Sequence, residues 1–260
     1  MDAARSAAPD HPKLEVRKTQ GVPKVKNFTV LSGFGVQAQF VAFNNSLMNL
    51  EKAVKERVFY TKAETGFAPP PKPISDTSFG LTLSAFEGKL KHYLPWTAPV
   101  PLSGFPSMYS GRLRQVYQQA VDSLQHTPLR NRDAYVRVFI KWEKLLVKKG
   151  KTPADLVPRV ISPRSPRFNA ELGVFLKPLE KRLIKAISRV FGSPTVMKGM
   201  NAEEVGKVVK GKWDKFDKPV AVGADASRFD QHVSQSALKW EHRQYLKCFA
   251  GKDKRRLAWL

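Results

Sequence analysis

The sequence predicts a mixed fold of α and β elements, α/β in content with an α+β arrangement. Apolar residues recur at helical spacing in several separate stretches. Short runs of β-branched and aromatic residues lie between them, and proline-rich segments divide the two. With 42% hydrophobic and 10% aromatic residues over 260 positions, the chain can bury a core and is not a disordered tail. At roughly 100–200 residues per domain, this length makes one large domain or two small ones. No internal repeat is found.

Residues 1–26 are polar and basic and read as a flexible arm. From Ser46 to Val58, Leu47, Leu50, Val54 and Val58 return at helical spacing, which predicts an amphipathic helix. The stretches 68–73 and 95–106 are proline-rich and read as ordered connectors crossing a surface. A second helix is expected over 111–124, with Leu113, Val116, Tyr117, Ala120 and Leu124 on one side. Residues 134–140 have strand character, a basic loop follows over 148–158, and Arg159-Val160-Ile161 reads as a returning strand. Asn169 is placed to cap a long helix running through Phe175, Leu183 and Val190, with Pro178 either kinking it or marking its start. The run 218–225 ends in Asp225 and has the form of a buried strand presenting that acid at its C-terminal end. Ser234 opens a last helix, through Leu238, Tyr245 and Phe249.

Lysine and arginine number 45 against 22 acidic residues, a net charge of +23. That excess calls for nucleic acid, an anionic membrane surface or an acidic partner. The charge is dispersed, with short clusters at 24–26, 148–151 and 252–256, inside a chain that also carries aromatics. Such a pattern suits a groove that follows a phosphate backbone. A single cysteine, Cys248, excludes an intramolecular disulfide framework and a multi-cysteine zinc module. No apolar stretch reaches the roughly 18–20 residues that span a bilayer, and the N-terminus lacks the apolar core of a secretory signal. The expected setting is an intracellular, reducing compartment.

The sharpest local feature is Gly223-Ala224-Asp225-Ala226-Ser227-Arg228-Phe229-Asp230. A carboxylate at a strand end facing phosphate is a natural Mg²⁺ ligand, because Mg²⁺ takes hard oxygens and is held by one or two carboxylates plus substrate phosphates. A turn could return Asp230 to the same pocket to accept a hydrogen bond from a sugar hydroxyl. Two aspartates at this spacing alone are weak; the whole string is far more specific. Asp225 to His232 closely resembles motif A of viral RNA-dependent RNA polymerases, most of all the tombusvirus-like and umbravirus-like enzymes of plant viruses (Tombusviridae). The resemblance implies that Asp225 is catalytic and binds metal, that the Ala226 carbonyl is a further metal contact, and that Asp230 selects ribonucleotides. The implied cofactor is Mg²⁺ or Mn²⁺.

Upstream lie Lys141-Trp142-Glu143 and then Pro158-Arg159-Val160-Ile161-Ser162-Pro163-Arg164-Ser165-Pro166-Arg167-Phe168-Asn169. This proline-stiffened segment offers several guanidiniums, whose planar forks suit phosphate oxygens. The pattern is similar to motif F of the same family, the fingers segment lining the nucleotide entry channel. By that match Lys141, Arg159 and Arg164 contact the incoming triphosphate, and Glu143 orients the lysine or an arginine. Arg167 joins the substrate-binding set, against template or other fingers residues. Asn44 to Leu47, Glu56 to Tyr60 and Tyr109 to Arg112 resemble further family stretches whose roles are packing and fingers–thumb contact. The resemblance runs from about Phe40 to Phe249.

The implied fold is the right-hand polymerase fold. Residues 1–39 form the arm and the start of the domain, 40–217 the fingers with motif F, and 218–260 the start of the palm with motif A. The family's Ser-Gly-x-x-x-Thr and Gly-Asp-Asp motifs do not occur in the 260 residues. The chain therefore reads as a fragment of a viral replicase, inactive alone, that in complete form adds ribonucleotides to an RNA 3′-hydroxyl. Expected partners are template and nascent RNA and ribonucleoside triphosphates, together with other replicase proteins and host membranes at cytoplasmic replication sites. A non-catalytic, basic RNA-binding protein derived from a polymerase is the alternative. A metal site from His232, His242 and Cys248 matches no zinc spacing.

Overall fold

The computed structural model describes residues 1–17, 40–72 and 80–260. The basic cluster at 24–26, and the expected arm from residue 18 on, lie outside the described residues. Two compact units interleave along the chain instead of following one another. The first comprises Met1–Lys72, Ala134–Ser165 and Arg228–His232; the second comprises Pro73–Asp133, Pro166–Ser227 and Val233–Leu260.

In the first unit the strands are short and pair two by two. Strands β1 (Phe40–Val41), β2 (Thr61–Ala63), β3 (Gly66–Ala68), β4 (Phe139–Ile140), β5 (Leu145–Leu146) and β6 (Val160–Ile161) form antiparallel pairs β1–β5, β2–β3 and β4–β6. The expected return of 159–161 onto the strand before it is present, with Phe139 opposite Ile161 and Ile140 opposite Val160.

Helix α1 (Leu47–Val54) starts where Ser46 predicts, its hydroxyl accepting from the Asn49 N–H at 3.3 Å. A π-helical turn, Lys55–Phe59, continues it and is closed by the Tyr60 N–H on the Lys55 carbonyl. The face this helix buries is not the apolar one. Asn49, Lys52 and Ala53 are buried, whereas Leu47 and Val58 are exposed. The reason lies in residues 1–17, which are docked on the helix and do not form the expected free arm. Asn49 Oδ1 accepts from the Ala3 N–H at 2.7 Å, and its Nδ2 donates to the carbonyls of Met1 (3.1 Å) and Asn44 (2.8 Å). Lys52 donates to the Ala154 carbonyl at 3.0 Å, and the buried Lys55 ammonium pairs with Asp10 (2.6 Å) and Glu51 (2.8 Å). A small apolar cluster of Ala3, Val41, Phe43, Ala53 and Ile140 lies beside this polar seam.

The second unit is helical. Its core joins Phe105, Val121, Ala170, Val174, Phe175, Leu179, Cys248, Phe249 and Leu257. The unit's helices are α2 (Ser84–Leu90), α3 (Gly111–His126), α4 (Pro166–Val190), α5 (Ala202–Trp213), α6 (Gln235–Leu246) and α7 (Gly251–Trp259), of which α3, α4, α6 and α7 contribute to the core or pack against it. Helix α4 begins at Pro166, ahead of Asn169, as suits a residue whose missing N–H is an orphan in the first turn anyway. Pro178 sits inside α4 and cannot donate to the Val174 carbonyl four residues back. That carbonyl instead accepts from the Val100 N–H at 3.0 Å, so the proline anchors the connector over 95–106. A second tie runs from the Thr97 N–H to the Cys248 carbonyl at 2.9 Å. Gly173 is required for packing: a Cβ there would lie 2.4 Å from Cζ of Phe105. Asn201 and Glu204 cap α5 reciprocally, and Ser234 caps α6 through the Ala237 N–H, as its sequence position predicts. Cys248 is fully buried, and burial pushes its thiol up to about 11.

One expected element is absent. Residues 218–225 form no strand, and Val220 and Val222 are 84% and 90% exposed. A strand needs a ladder partner for its N–H and C=O groups, and among the described residues none pairs with this run. Among the described residues, no helix is long and apolar enough to cross a membrane.

Candidate functional site

The β4–β6 pairing is extended on both sides by backbone hydrogen bonds. The Lys141 N–H donates to the Arg159 carbonyl at 2.8 Å, and the Arg137 N–H to the Pro163 carbonyl at 2.9 Å. This register sets Lys141 opposite Arg159. Glu143, two residues beyond Lys141, bridges both cations: its Oε2 lies 2.8 Å from Lys141 Nζ and its Oε1 3.3 Å from Arg159 Nε. The carboxylate is mostly buried, with its side chain 18% exposed, while Lys141 and Arg159 keep 42% and 55% of theirs in solvent. Oε1 is buried and has no hydrogen bond, so the 3.3 Å contact is an ion pair alone. The arrangement holds two cationic heads at the surface on a fixed anionic post. Such a pair can take phosphate oxygens without losing its orientation.

Around this post lies a group that the sequence reading did not single out for chemistry. Arg57, on the π turn, donates from Nε to the Pro158 carbonyl and from Nη2 to the Val157 carbonyl, both at 2.8 Å. Burial lowers its pKa first, then the nearby Arg228 and Arg159, while Asp230 and Glu143 pull it back up. Three guanidiniums and two carboxylates therefore share one electrostatic neighbourhood. Arg228 has φ of 55°, a left-handed conformation that strains a non-glycine residue by on the order of 1–3 kcal/mol. Its guanidinium donates to the Glu56 carbonyl, and the Gln231 amide donates to the Tyr60 carbonyl at 2.8 Å. These contacts fix a 3₁₀ turn, Phe229–His232, that carries Asp230. In the sequence the only signal for Arg57 and Arg228 is their charge: Arg57 lies in a stretch whose resemblance implies packing, and Arg228 lies between the two aspartates.

Of the expected site residues, Lys141, Arg159 and Asp230 thus lie in one unit around one cluster. Arg164 is in the same unit and donates from Nε to the Ala134 carbonyl at 3.1 Å. Arg167 turns inward. Its side chain is 17% exposed, 3.3 Å from Asp133, and donates to Ser123 Oγ (2.6 Å) and to the carbonyls of Thr127 (2.6 Å) and Pro128 (3.0 Å). It clamps the C-terminal end of α3 to the start of α4. Asp225 and Ala226 belong to the other unit, in the exposed run without regular structure. Among the described residues, no group of three or more His, Cys, Asp or Glu side chains gathers, and His232, His242 and Cys248 form no such group.

Residues 14–260 match the family described as viral RNA dependent RNA polymerase. The chain belongs to that family. It is 44% identical to the RNA-directed RNA polymerase of oat chlorotic stunt virus, over 97% of this chain and 34% of that protein. The RNA-directed RNA polymerases of turnip crinkle virus and tobacco necrosis virus (strain A) are 42% and 41% identical, over 91% and 96% of this chain and 30% and 34% of their own length. The chain spans about a third of the length of these curated relatives. No solved structure matches it.

Proposed function

We propose that the chain is the fingers region and the beginning of the palm of a plant-virus RNA-directed RNA polymerase, which extends an RNA 3′-hydroxyl on an RNA template with ribonucleoside triphosphates. The observation that carries this reading is the Glu143 carboxylate bridging Lys141 and Arg159 within the neighbourhood that also holds Asp230.

On this reading Lys141 and Arg159 bind triphosphate oxygens, the arginine through its fork and the lysine as a point charge. Glu143 keeps both oriented when the site is empty and limits their mutual repulsion. Arg164 extends the same cationic lining. Asp230 accepts a hydrogen bond from the ribose 2′-hydroxyl, which a deoxynucleotide cannot donate. Arg167 supports the site indirectly, by holding the helix that follows it.

The donors at Asp225 and Ala226 are a carboxylate and a carbonyl, both hard oxygens, and they suit Mg²⁺ or Mn²⁺. When bound there, a divalent ion supplies charge stabilisation for the transferring phosphoryl group. A two-metal site needs more than one carboxylate, and the 260 residues hold no Gly-Asp-Asp. The 260-residue chain alone is therefore expected to synthesise no RNA.

The test uses the polymerase that carries this segment, on a primed RNA template. Asp225→Asn is expected to reduce synthesis on the order of 10³-fold, the scale of losing one transition-state electrostatic contact, with RNA affinity retained. Asp230→Asn is expected to lower the preference for ribo- over deoxyribonucleotides. Full synthesis by the Asp225 variant would sink the metal assignment, and unchanged discrimination by the Asp230 variant would sink the sugar assignment.

A further inference from the structure

The π turn Lys55–Phe59 and its cap Tyr60 hold both halves of the cluster from one place. On one side, Arg57 grips the carbonyls of Val157 and Pro158, and Pro158 immediately precedes Arg159. On the other, the carbonyls of Glu56 and Tyr60 accept from Arg228 and Gln231, which flank Asp230. These contacts join residues 100, 101, 172 and 171 positions apart in the chain. Local helix chemistry cannot account for them.

We infer that this turn is a bracket that sets the position of Arg159 against that of Asp230, with Arg57 as its positioning residue toward Arg159 and Gln231 as its positioning residue toward Asp230. The inference rests on the reading of Arg159 as a triphosphate contact and Asp230 as a sugar contact.

Four further features agree. The turn is π-helical, a geometry that is rare and concentrates at functional sites. Arg57 directs two donors of its fork at backbone carbonyls, which places a loop and leaves ligand contact to its exposed neighbours. Arg228 keeps φ of 55°, a conformation that persists only where surrounding contacts enforce it, and its bond to Glu56 is such a contact. Gln231 has its Oε1 buried without a partner, so its amide is held through Nε2 on the Tyr60 carbonyl. A nucleotide that met both Arg159 and Asp230 would thus find its phosphate end and its sugar end indexed to the same five-residue turn and its cap.

The experiment compares variants of the polymerase carrying this segment in primed extension, with KM for the nucleotide and the ribo/deoxy preference as separate readouts. Arg159→Lys is expected to raise KM alone, and Asp230→Asn to lower the preference alone. Arg57→Lys keeps the charge but loses the two-pronged grip. It is expected to raise KM roughly tenfold with little change in the preference, within the range that a small misplacement of reacting groups produces. Gln231→Leu is expected to lower the preference with little change in KM. An Arg57→Lys protein that melts earlier yet keeps KM at wild type would overturn the bracket, leaving Arg57 a brace of the fold. If Arg57→Lys does not fold, Gln231→Leu decides: an unchanged preference overturns the bracket. If Arg159→Lys and Asp230→Asn themselves move neither readout, the reading of the site falls, and the bracket with it.

Discussion

Helix α4 buries Phe168, Ala170, Val174, Phe175, Leu179 and Ala186, all apolar, into the helical unit. Helix α1, in the other unit, buries Asn49, Lys52 and Ala53 and runs into a turn that buries Lys55 and Glu56. The first is fixed by shape and by exclusion of water. The second is fixed by directional bonds, each of which specifies a partner. A polar seam gives less stabilisation per residue, but it defines position more sharply. The unit built that way is the one that carries the cationic post and Asp230. A site that must hold charged side chains at set separations is better served by directional bonds than by a fluid-tolerant apolar contact.

Mutations can break this contrast. Phe105→Ala removes a ring that is 1% exposed at the centre of the helical core and is expected to destabilise that unit by about 3–5 kcal/mol in denaturant unfolding. Asn49→Leu keeps bulk but strands the Ala3 N–H and removes the amide that donates to the carbonyls of Met1 and Asn44. It is expected to cost about 3 kcal/mol and to release residues 1–17, seen as lost hydrogen-exchange protection at Ala3. A fully tolerated Asn49→Leu would show that the polar seam is ornamental. Gly173→Ala sharpens the other side: the methyl must displace the Phe105 ring, for an expected loss of about 1–3 kcal/mol.

The smallest effect is a pH window. The hydrogen bond from Lys55 lowers the pKa of Asp10 below 3.8, so its contribution is present above that pH and is lost as pH falls through the lowered value. Lys55 is raised above 10.5, first by Asp10 and then by Glu51, so its contribution holds below 10.5 and is lost as pH rises through the raised value. Exchange protection over residues 1–17 is expected to be flat between these limits and to fall outside them. Protection that varies between pH 5 and 9 would assign the docking to other groups.

The helical unit was the more legible from sequence, for the same physical reason. Period-based reading assumes that the buried face is the apolar one. That holds for α4 and for most of α3, where Tyr117, Ala120 and Leu124 pack as expected but Leu113 stays 48% exposed. It fails for α1, where Leu47, Leu50 and Val54 line an open groove with Val138 while Asn49 goes inside. Nothing in the spacing of α1 reveals that Ala3 and Asp10 will meet it. The return of Val160–Ile161 onto Phe139–Ile140 was legible because both runs are β-branched or aromatic, whereas the Glu143 ion pair was implied only by the resemblance to motif F. The run 218–225 was apolar enough to be read as a strand, yet a strand is a property of two segments, and its sequence says nothing about the second. Arg57 was overlooked because its partners are backbone carbonyls, which have no sequence signature.

Cys248 has a practical consequence. Sealed in the helical core with its proton held to about pH 11, it is nearly all thiol at neutral pH and has no path to solvent. An alkylating reagent can reach it only when that core opens. The chain therefore contains its own single-site stopwatch: the rate at which label accumulates at Cys248 times the opening of the helical core, without a reporter being introduced.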